Sequence, residues 1–294
     1  MPKESQEEPP KRFAEVLANG LEQLCCGDLL AKGQSDFQNW EVWETPALGR
    51  LYRLDGRSMA SVRDSFLCHE PLVHIAGLAH GEPRRALILG GGDGASAAEL
   101  LKYPGMQEIV IAELDPAVVQ ITRAFLPALH EGALDNPKVA LKIGDAAAYV
   151  RDWQPNNGHF DLIIFDLTDP DTAAAPLFTA DFFRSCRLLL SPRGALSLHL
   201  GSPLWQREQI RALLARLREV FVRVTPLFPT IPLYGGLWSM AVASDALVPD
   251  AIPHATLATR ISDLSSTPLR LIDASQYHAL LACPPWLEDL RQGF

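Results

Sequence analysis

Acidic side chains follow four successive apolar segments in the middle of the chain. The segments end, in order, in Gly90-Gly91-Gly92-Asp93-Gly94, in Glu113 and Asp115, in Gly144-Asp145, and in Asp166 and Asp169. A single Asp after a strand is commonly a helix N-cap, but four strand ends with the same chemistry favour a binding site. Ligands bind at the carboxyl ends of the strands in open α/β sheets. We therefore expect these acids to share one site for a positively charged ligand.

The glycine-rich turn suggests which ligand this is. Residues 90–95 fit the dinucleotide pattern GxGxxA, and Glu113 lies at the spacing expected for a ribose ligand, so a nicotinamide cofactor has to be considered. Asp93 argues against it, because a carboxylate in the turn would face the negative pyrophosphate. The same carboxylate suits a sulfonium or an ammonium. We therefore predict an S-adenosyl donor, with Glu113 on its ribose and Asp145 on its adenine amino group.

The segment Phe165-Asp166-Leu167-Thr168-Asp169-Pro170 carries two carboxylates three residues apart directly after an apolar strand. Two acids at this point indicate a cationic acceptor that has to lose a proton before it reacts. An alkylammonium has a pKa near 10. A carboxylate in a closed, dry site can take that proton as attack begins.

The elements that position these residues alternate between apolar strands and helix-like stretches from residue 86 onwards. This pattern is typical of a parallel sheet with helices on both faces. We predict a doubly wound α/β fold, Rossmann-like and of the S-adenosylmethionine-dependent methyltransferase type. Further strands are expected at 194–200, 222–228 and 238–244, and helices at 206–220 and near 275–282.

The first part of the chain has a different pattern. Residues 1–12 are polar and are predicted to be a disordered tail. Residues 13–30 show helix-like apolar spacing, weakened by Gly20 and Gly27, and alternation from about residue 37 predicts a small antiparallel β unit. We expect an N-terminal helix and β domain over 13–75 and a catalytic domain over 76–294.

Composition narrows the possible partners. The 294 residues carry a formal net charge of −9, which argues against nucleic acid as the main partner. The five cysteines are irregularly spaced and form no CxxC pair, and no ligand cluster for a metal is evident. The N-terminus lacks a signal-peptide pattern, and no apolar run is long enough to span a membrane. We expect a cytoplasmic protein that needs no metal.

Taken together, residues from about 33 to 245 resemble the polyamine aminopropyltransferases, the family of spermidine, spermine and thermospermine synthases. The family patterns GGGDG, the acidic pair on the second strand, Gly-Asp after the third, and D-x-x-D-P match the strand ends described above. Other matches are Phe37-Gln38, Leu54-Asp55-Gly56, the stretch Asp64–Glu70 and the turn Thr230-Ile231-Pro232-Leu233-Tyr234.

The resemblance implies a reaction and a set of roles. Decarboxylated S-adenosylmethionine would be the co-substrate, a polyamine the acceptor and methylthioadenosine the by-product, with no metal and with a homodimer as the assembly. Asp166 would be the base, assisted by Tyr234. The donor would be held by Gln38, His69, Gly90, Gly92, Asp93, Glu113, Asp115 and Asp145. The amine would be held by Asp64, Asp169, His199 and Tyr234.

Some positions depart from the family pattern. Cys68 stands in place of an acceptor-site Tyr, Ser65 in place of a Glu, and His199-Leu200-Gly201 in place of Gln-x-Glu. These changes raise the hypothesis of an altered acceptor pocket, for a longer or different amine, against retention of putrescine. Two other functions stay open: an S-adenosylmethionine-dependent methyltransferase, and a non-catalytic nucleoside-binding homologue. Trp238 is a further candidate for the acceptor groove.

Overall fold

The structure is a computed structural model that describes residues 11–167, 172, 174–264 and 267–292. Five antiparallel strands come first and form one sheet in the order β1-β2-β3-β4-β5. They are β1 (Lys11–Ala18), β2 (Leu21–Gln34), β3 (Asn39–Thr45), β4 (Gly49–Leu54) and β5 (Arg57–Ser61). The predicted antiparallel β unit is confirmed, and it is larger than expected.

The predicted helix over residues 13–30 is wrong, because β1 and β2 form a hairpin there. Gly20 lies in the turn with φ of 77°, and Asn-Gly is a strong signal for a tight hairpin turn. Gly27 is needed where β2 meets β3, since a β-carbon there would lie 2.4 Å from the carbonyl oxygen of Glu44. The two glycines that weakened the helix prediction are therefore what the hairpin requires. The predicted tail over 1–12 is also too long, since Lys11 and Arg12 belong to β1, and residues 1–10 lie outside the description.

The remaining strands begin at residue 85. They are β6 (Arg85–Gly90), β7 (Glu108–Glu113), β8 (Val139–Ile143), β9 (Phe160–Asp166), β10 (Leu190–Gly201), β11 (Arg223–Leu227), β12 (Thr230–Ile231), β13 (Gly236–Leu237) and β14 (Ser239–Ser244). Seven of them form a sheet in the order β11-β14-β10-β9-β6-β7-β8, while β12 and β13 pair separately. The five adjacent strands β10, β9, β6, β7 and β8 run parallel to one another, and β14 is antiparallel to both of its neighbours, β10 and β11. This confirms the predicted Rossmann-like sheet.

Helices cover both faces of this sheet. They are α1 (Ser65–His80), α2 (Ala95–Leu101), α3 (Pro116–Phe125), α4 (Pro127–His130), α5 (Ala146–Asp152), α6 (Ala180–Leu189), α7 (Arg207–Arg218), α8 (His254–Ser262), α9 (Ala274–Leu281) and α10 (Glu288–Gln292). The central strands carry apolar side chains on both faces, into two separate core clusters, as expected for a covered parallel sheet.

The connection between the two sheets is α1. It packs against β9, β10 and α2 of the large sheet, so the predicted domain boundary at residue 75 falls inside this helix. Helix α8 was not predicted from the sequence. No helix in the described ranges is long and apolar enough to cross a membrane.

Candidate active site

The strand order places the site at the switch point of the large sheet. From β6 the chain moves outwards to β7 and β8, then returns to β9 on the other side of β6. Gly90, the last residue of β6, lies beside Asp166, the last residue of β9. The crevice beyond such a pair of strands is where α/β sheets bind ligands.

The glycine turn closes tightly on β9. Gly90 and Gly91 have φ of 75° and 67°, and the Gly91 N–H donates to the backbone carbonyl of Asp166 at 2.8 Å. A β-carbon on Gly90 would lie 2.3 Å from that carbonyl oxygen, and one on Gly92 would lie 2.6 Å from Cγ of Glu113. Only glycine satisfies both the left-handed backbone at Gly90 and the close approach.

Glu113 is buried behind this turn and is held by backbone amides. It accepts hydrogen bonds from the N–H groups of Gly92 at 2.9 Å and Asp115 at 2.8 Å. Burial raises its pKa to about 7, although the two amides act in the opposite direction. A carboxylate in this position would be stabilised by hydroxyl donors such as those of a ribose.

Asp115 connects the site to the N-terminal sheet. Its Oδ1 caps α3 by accepting from the Ala117 N–H at 2.9 Å. Its Oδ2 accepts from Ser35 Oγ at 2.6 Å and from Gln38 Nε2 at 2.8 Å. The predicted donor-site residues Gln38 and Asp115 are therefore brought together, and Ser35 joins them as a residue that the sequence did not reveal.

Asp93 is buried inside the turn, as predicted. Its Oδ1 accepts from the Ala95 N–H at 3.0 Å, and its Oδ2 accepts from the hydroxyl of Tyr52 at 3.1 Å. Tyr52, on β4, was missed from the sequence, because nothing local shows which face of a strand reaches a site 41 residues further on. The one available signal was the alternation of side chains along a strand, which places Tyr52 on the opposite face from Leu51 and Arg53.

An imidazole and two carboxylates form the centre of the site. His69 Nε2 lies 3.9 Å from Asp166 Oδ2, and ligand atoms of His69, Asp93 and Asp166 all lie within 4.8 Å of one another. Oδ2 of Asp166 is buried and, within the described part of the chain, has no hydrogen-bond partner. Such a cluster suits one small cationic group, an ammonium or a metal ion alike, and the prediction that no metal is used stays a prediction.

The protonation of this centre follows from burial and mutual charge. Burial raises the pKa of Asp166 to about 6; His69 opposes this rise and Asp93 adds to it. Burial alone would lower the pKa of His69, but the carboxylates of Asp166 and Asp93 raise it. Nδ1 of His69 lies 2.8 Å from the Ser65 carbonyl oxygen, which fixes the ring with Nε2 towards Asp166.

The residues predicted to lie on the acceptor side form a wall beside this centre. Tyr234 ends a 3₁₀ turn, and its hydroxyl donates to the Met59 carbonyl at 2.5 Å. Cys68 Sγ lies 3.9 Å from the Tyr234 hydroxyl and 3.8 Å from His199 Nε2. Trp238 Nε1 donates to His199 Nδ1 at 3.1 Å. Cys68, His199 and Trp238, which the sequence singled out separately, are thus in contact.

Two of the predicted residues occupy other positions in the site. Asp64 accepts from Ser61 Oγ at 2.5 Å and from the Leu233 N–H at 2.9 Å, which fixes the turn that carries Tyr234. Asp145 caps α5 through the Ala147 N–H at 2.8 Å and is exposed in an open groove beside β8, next to the strand that ends in Glu113. Asp169 and Pro170 lie outside the described residues.

Comparison with known proteins is consistent with this geometry. The fold and site define a Rossmann-like protein with an acidic binding site, and the family model "Spermine/spermidine synthase domain" matches residues 65–251. A polyamine aminopropyltransferase of Nitrosomonas europaea is 43% identical over 263 residues, covering 90% of this chain and 80% of the relative. One from Thermoanaerobacter sp. strain X514 is 32% identical over 269 residues, covering 90% and 91%.

Solved structures agree along nearly the whole chain. A spermidine synthase in complex with the transition-state analogue AdoDATO is similar with a TM-score of 0.89 at 27% identity, covering 98% of both chains. The spermidine synthase of Thermotoga maritima gives a TM-score of 0.87 at 27% identity, covering 98% of this chain and 97% of that one. The chain belongs to the spermine/spermidine synthase family. The similarity extends beyond the residues 33–245 on which the sequence resemblance rested.

Proposed function

We propose that this protein transfers the aminopropyl group of decarboxylated S-adenosylmethionine to a polyamine acceptor and releases methylthioadenosine. One observation carries the proposal: a buried carboxylate oxygen of Asp166, without a hydrogen-bond partner in the described residues, lies beside Asp93 and His69 at the switch point of the sheet. A base that must receive a proton from an ammonium needs such a free, dry oxygen. The family relationship agrees with this chemistry.

In the proposed step, Asp166 removes a proton from the acceptor ammonium. The freed nitrogen lone pair attacks the aminopropyl carbon bonded to the sulfonium, so that a C–N bond forms and the C–S bond breaks. The C–S electron pair returns to sulfur and leaves a neutral thioether. The protein contributes alignment and charge placement.

Some residues of the acidic site bind the donor and others bind the amine. Glu113 accepts from the ribose hydroxyls, Asp145 from the adenine amino group, and Asp93 lies near the positive charge of the donor, with His69, Gln38 and Asp115 completing its site. Asp64 positions the turn of Tyr234, Tyr234 and Asp169 contact the amine, and His199 completes the acceptor wall beside Tyr234. The carboxylate of intact S-adenosylmethionine would be repelled by this acidic turn, which favours the decarboxylated donor and disfavours a methyltransferase.

The acceptor, assembly and compartment complete the proposal. Putrescine is the simplest acceptor, and a longer or different amine such as spermidine is the alternative raised by Ser65 and Cys68. Exposed Val16 and Leu24 on the first hairpin support a homodimer through the N-terminal sheet. All five cysteines are free, in agreement with a reducing cytoplasm.

A product assay tests the reaction. The protein is incubated with decarboxylated S-adenosylmethionine and, separately, with putrescine, cadaverine, agmatine and spermidine, and methylthioadenosine and the new amine are detected by mass spectrometry. We expect product with at least one amine and loss of about 10²- to 10⁴-fold in turnover for Asp166→Asn. Asp135→Asn, at an exposed ion pair, is the matched control. Methyl transfer from intact S-adenosylmethionine, or binding without product, would overturn the proposal.

A further inference from the structure

Four side chains on the acceptor wall are linked end to end by hydrogen bonds. The contacts run from Trp238 Nε1 to His199 Nδ1 at 3.1 Å, from His199 Nε2 to Cys68 Sγ at 3.8 Å and from Cys68 Sγ to the Tyr234 hydroxyl at 3.9 Å. The last contact, from the Tyr234 hydroxyl to the Met59 carbonyl, is 2.5 Å long. The longer distances are those expected when sulfur is a partner.

The direction of every bond in this series is determined by its two ends. An indole N–H can only donate, so His199 Nδ1 accepts, and a neutral imidazole then carries its proton on Nε2. A carbonyl can only accept, so the single proton of Tyr234 points to Met59. It follows that His199 Nε2–H donates to Cys68 and that the Cys68 S–H donates to the Tyr234 oxygen.

The groups are also in the protonation states that this order needs. Burial lowers the pKa of His199 to about 3, and the nearby His69 lowers it further, so the ring is neutral. Burial raises the pKa of the Cys68 thiol and of the Tyr234 phenol well above their usual ranges, so both keep their protons. The wall therefore carries no charge that would repel a cationic amine.

We propose that Trp238, His199 and Cys68 are positioning residues that form one directional hydrogen-bond chain and hold the Tyr234 oxygen as a hydrogen-bond acceptor for the reacting amine. With its proton committed to Met59, Tyr234 does not act as an acid. Its oxygen can receive an N–H of the amine while Asp166 takes the proton that is lost. The link to the amine rests on the proposed aminopropyl transfer; the order of the chain does not.

The tautomer of His199 tests the chain without any turnover. In the full-length protein labelled with ¹⁵N-histidine, long-range ¹H–¹⁵N NMR should show His199 as the neutral Nε2–H tautomer at pH 7. The ring should stay neutral down to about pH 5. Trp238→Phe should release a population of the Nδ1–H tautomer, whereas Trp286→Phe, at a half-exposed indole elsewhere, should not. The His199→Gln spectrum assigns the signal. A wild-type Nδ1–H tautomer, or an imidazolium at pH 6, would refute the order.

The kinetics test the connection to the amine. Trp238→Phe and Cys68→Ala should each lower kcat/KM for the acceptor by about 3- to 10-fold, as expected for one hydrogen bond, with the KM of the donor unchanged. Because both interrupt the same chain, the double variant should lose no more than the larger single loss. Cys26→Ala, at an exposed cysteine, is the control. Multiplicative losses would show two independent effects and overturn the chain. A wild-type protein without turnover would refute the proposed function, while the tautomer would still decide the chain.

Discussion

At the scale of single residues, the decisive property of the site is a set of buried carboxylates that pair with no Lys or Arg in the part of the chain that the structure describes. Asp166 and Glu113 both have a pKa raised by burial, to about 6 and about 7. Each destabilises the ligand-free fold when it is ionised. The protein therefore maintains an electrostatic cost that a cationic donor and acceptor would relieve.

This cost predicts how stability depends on pH. A folded-state pKa above the unfolded one means that the folded protein binds more protons, so the contribution of Asp166 falls as pH rises from about 4 through about 6. Asp166→Asn should therefore become more stable relative to the parent by on the order of 1–3 kcal/mol between pH 4 and pH 7. Urea unfolding at several pH values measures this difference.

The control for this experiment is Asp135→Asn, whose carboxylate is exposed. Its stability relative to the parent should stay nearly constant over the same range. A relative stability of Asp166→Asn that falls with pH would mean that the pairing of Asp166 with His69 exceeds the cost of burial. For Asp166→Asn, the expected result is a loss of activity together with a gain in stability.

At the scale of elements, the turn between β6 and α2 depends on glycine for two separable reasons. Gly90 has a left-handed backbone, and its neighbour Asp166 leaves no space for a side chain. Gly20, in the first hairpin, has nearly the same φ of 77° but nothing within 4 Å of a β-carbon. The two positions separate conformational strain from steric overlap.

Alanine substitution at these two positions should separate the two effects. Gly20→Ala should cost only the left-handed backbone, about 1–2 kcal/mol. Gly90→Ala should lower the free energy of unfolding by about 1–3 kcal/mol more, because the strand end of β9 has to move. Chemical denaturation of both variants measures the difference. Equal losses would mean that the turn relaxes around the added methyl group.

Sequence reasoning succeeded where chemistry follows from local rules. Acids after β6, β7 and β9 could be assigned to one edge because parallel strands fix which ends meet, and Asp93, Glu113 and Asp166 do converge there. It failed for β1 and β2, because apolar spacing fits a helix and a twisted, half-exposed hairpin alike. It also missed Tyr52 and Ser35, since their contacts with Asp93 and Asp115 depend on how two sheets pack.

At the scale of the whole molecule, Glu70 holds the C-terminal segment to α1. This fully buried carboxylate accepts from the backbone N–H groups of Arg270 at 2.6 Å, Leu271 at 2.9 Å and Ile272 at 3.1 Å. It is adjacent in sequence to His69 of the site. The segment that leads into α9 is therefore attached to the helix that carries His69.

Glu70→Gln should disturb this attachment, because an amide N–H₂ replaces one acceptor and opposes a backbone donor. We expect a loss of about 3 kcal/mol in the free energy of unfolding and faster hydrogen exchange in α9. Glu44→Gln, at an exposed ion pair with Arg50, should change stability by less than about 1 kcal/mol. Unchanged exchange in α9 would show that apolar packing alone holds the segment.

Asp115 has a consequence for how this architecture can be rebuilt. Its carboxylate caps the N-terminus of α3, which follows β7 of the large sheet. The same carboxylate accepts hydrogen bonds from the Ser35 hydroxyl and the Gln38 amide, which lie in the loop between β2 and β3. The large sheet therefore cannot be transferred to another protein as an independent unit. A chimera that takes its first sixty residues from another source must reproduce a hydroxyl and an amide at these two places, or the crevice will lack one side where Asp115 lies.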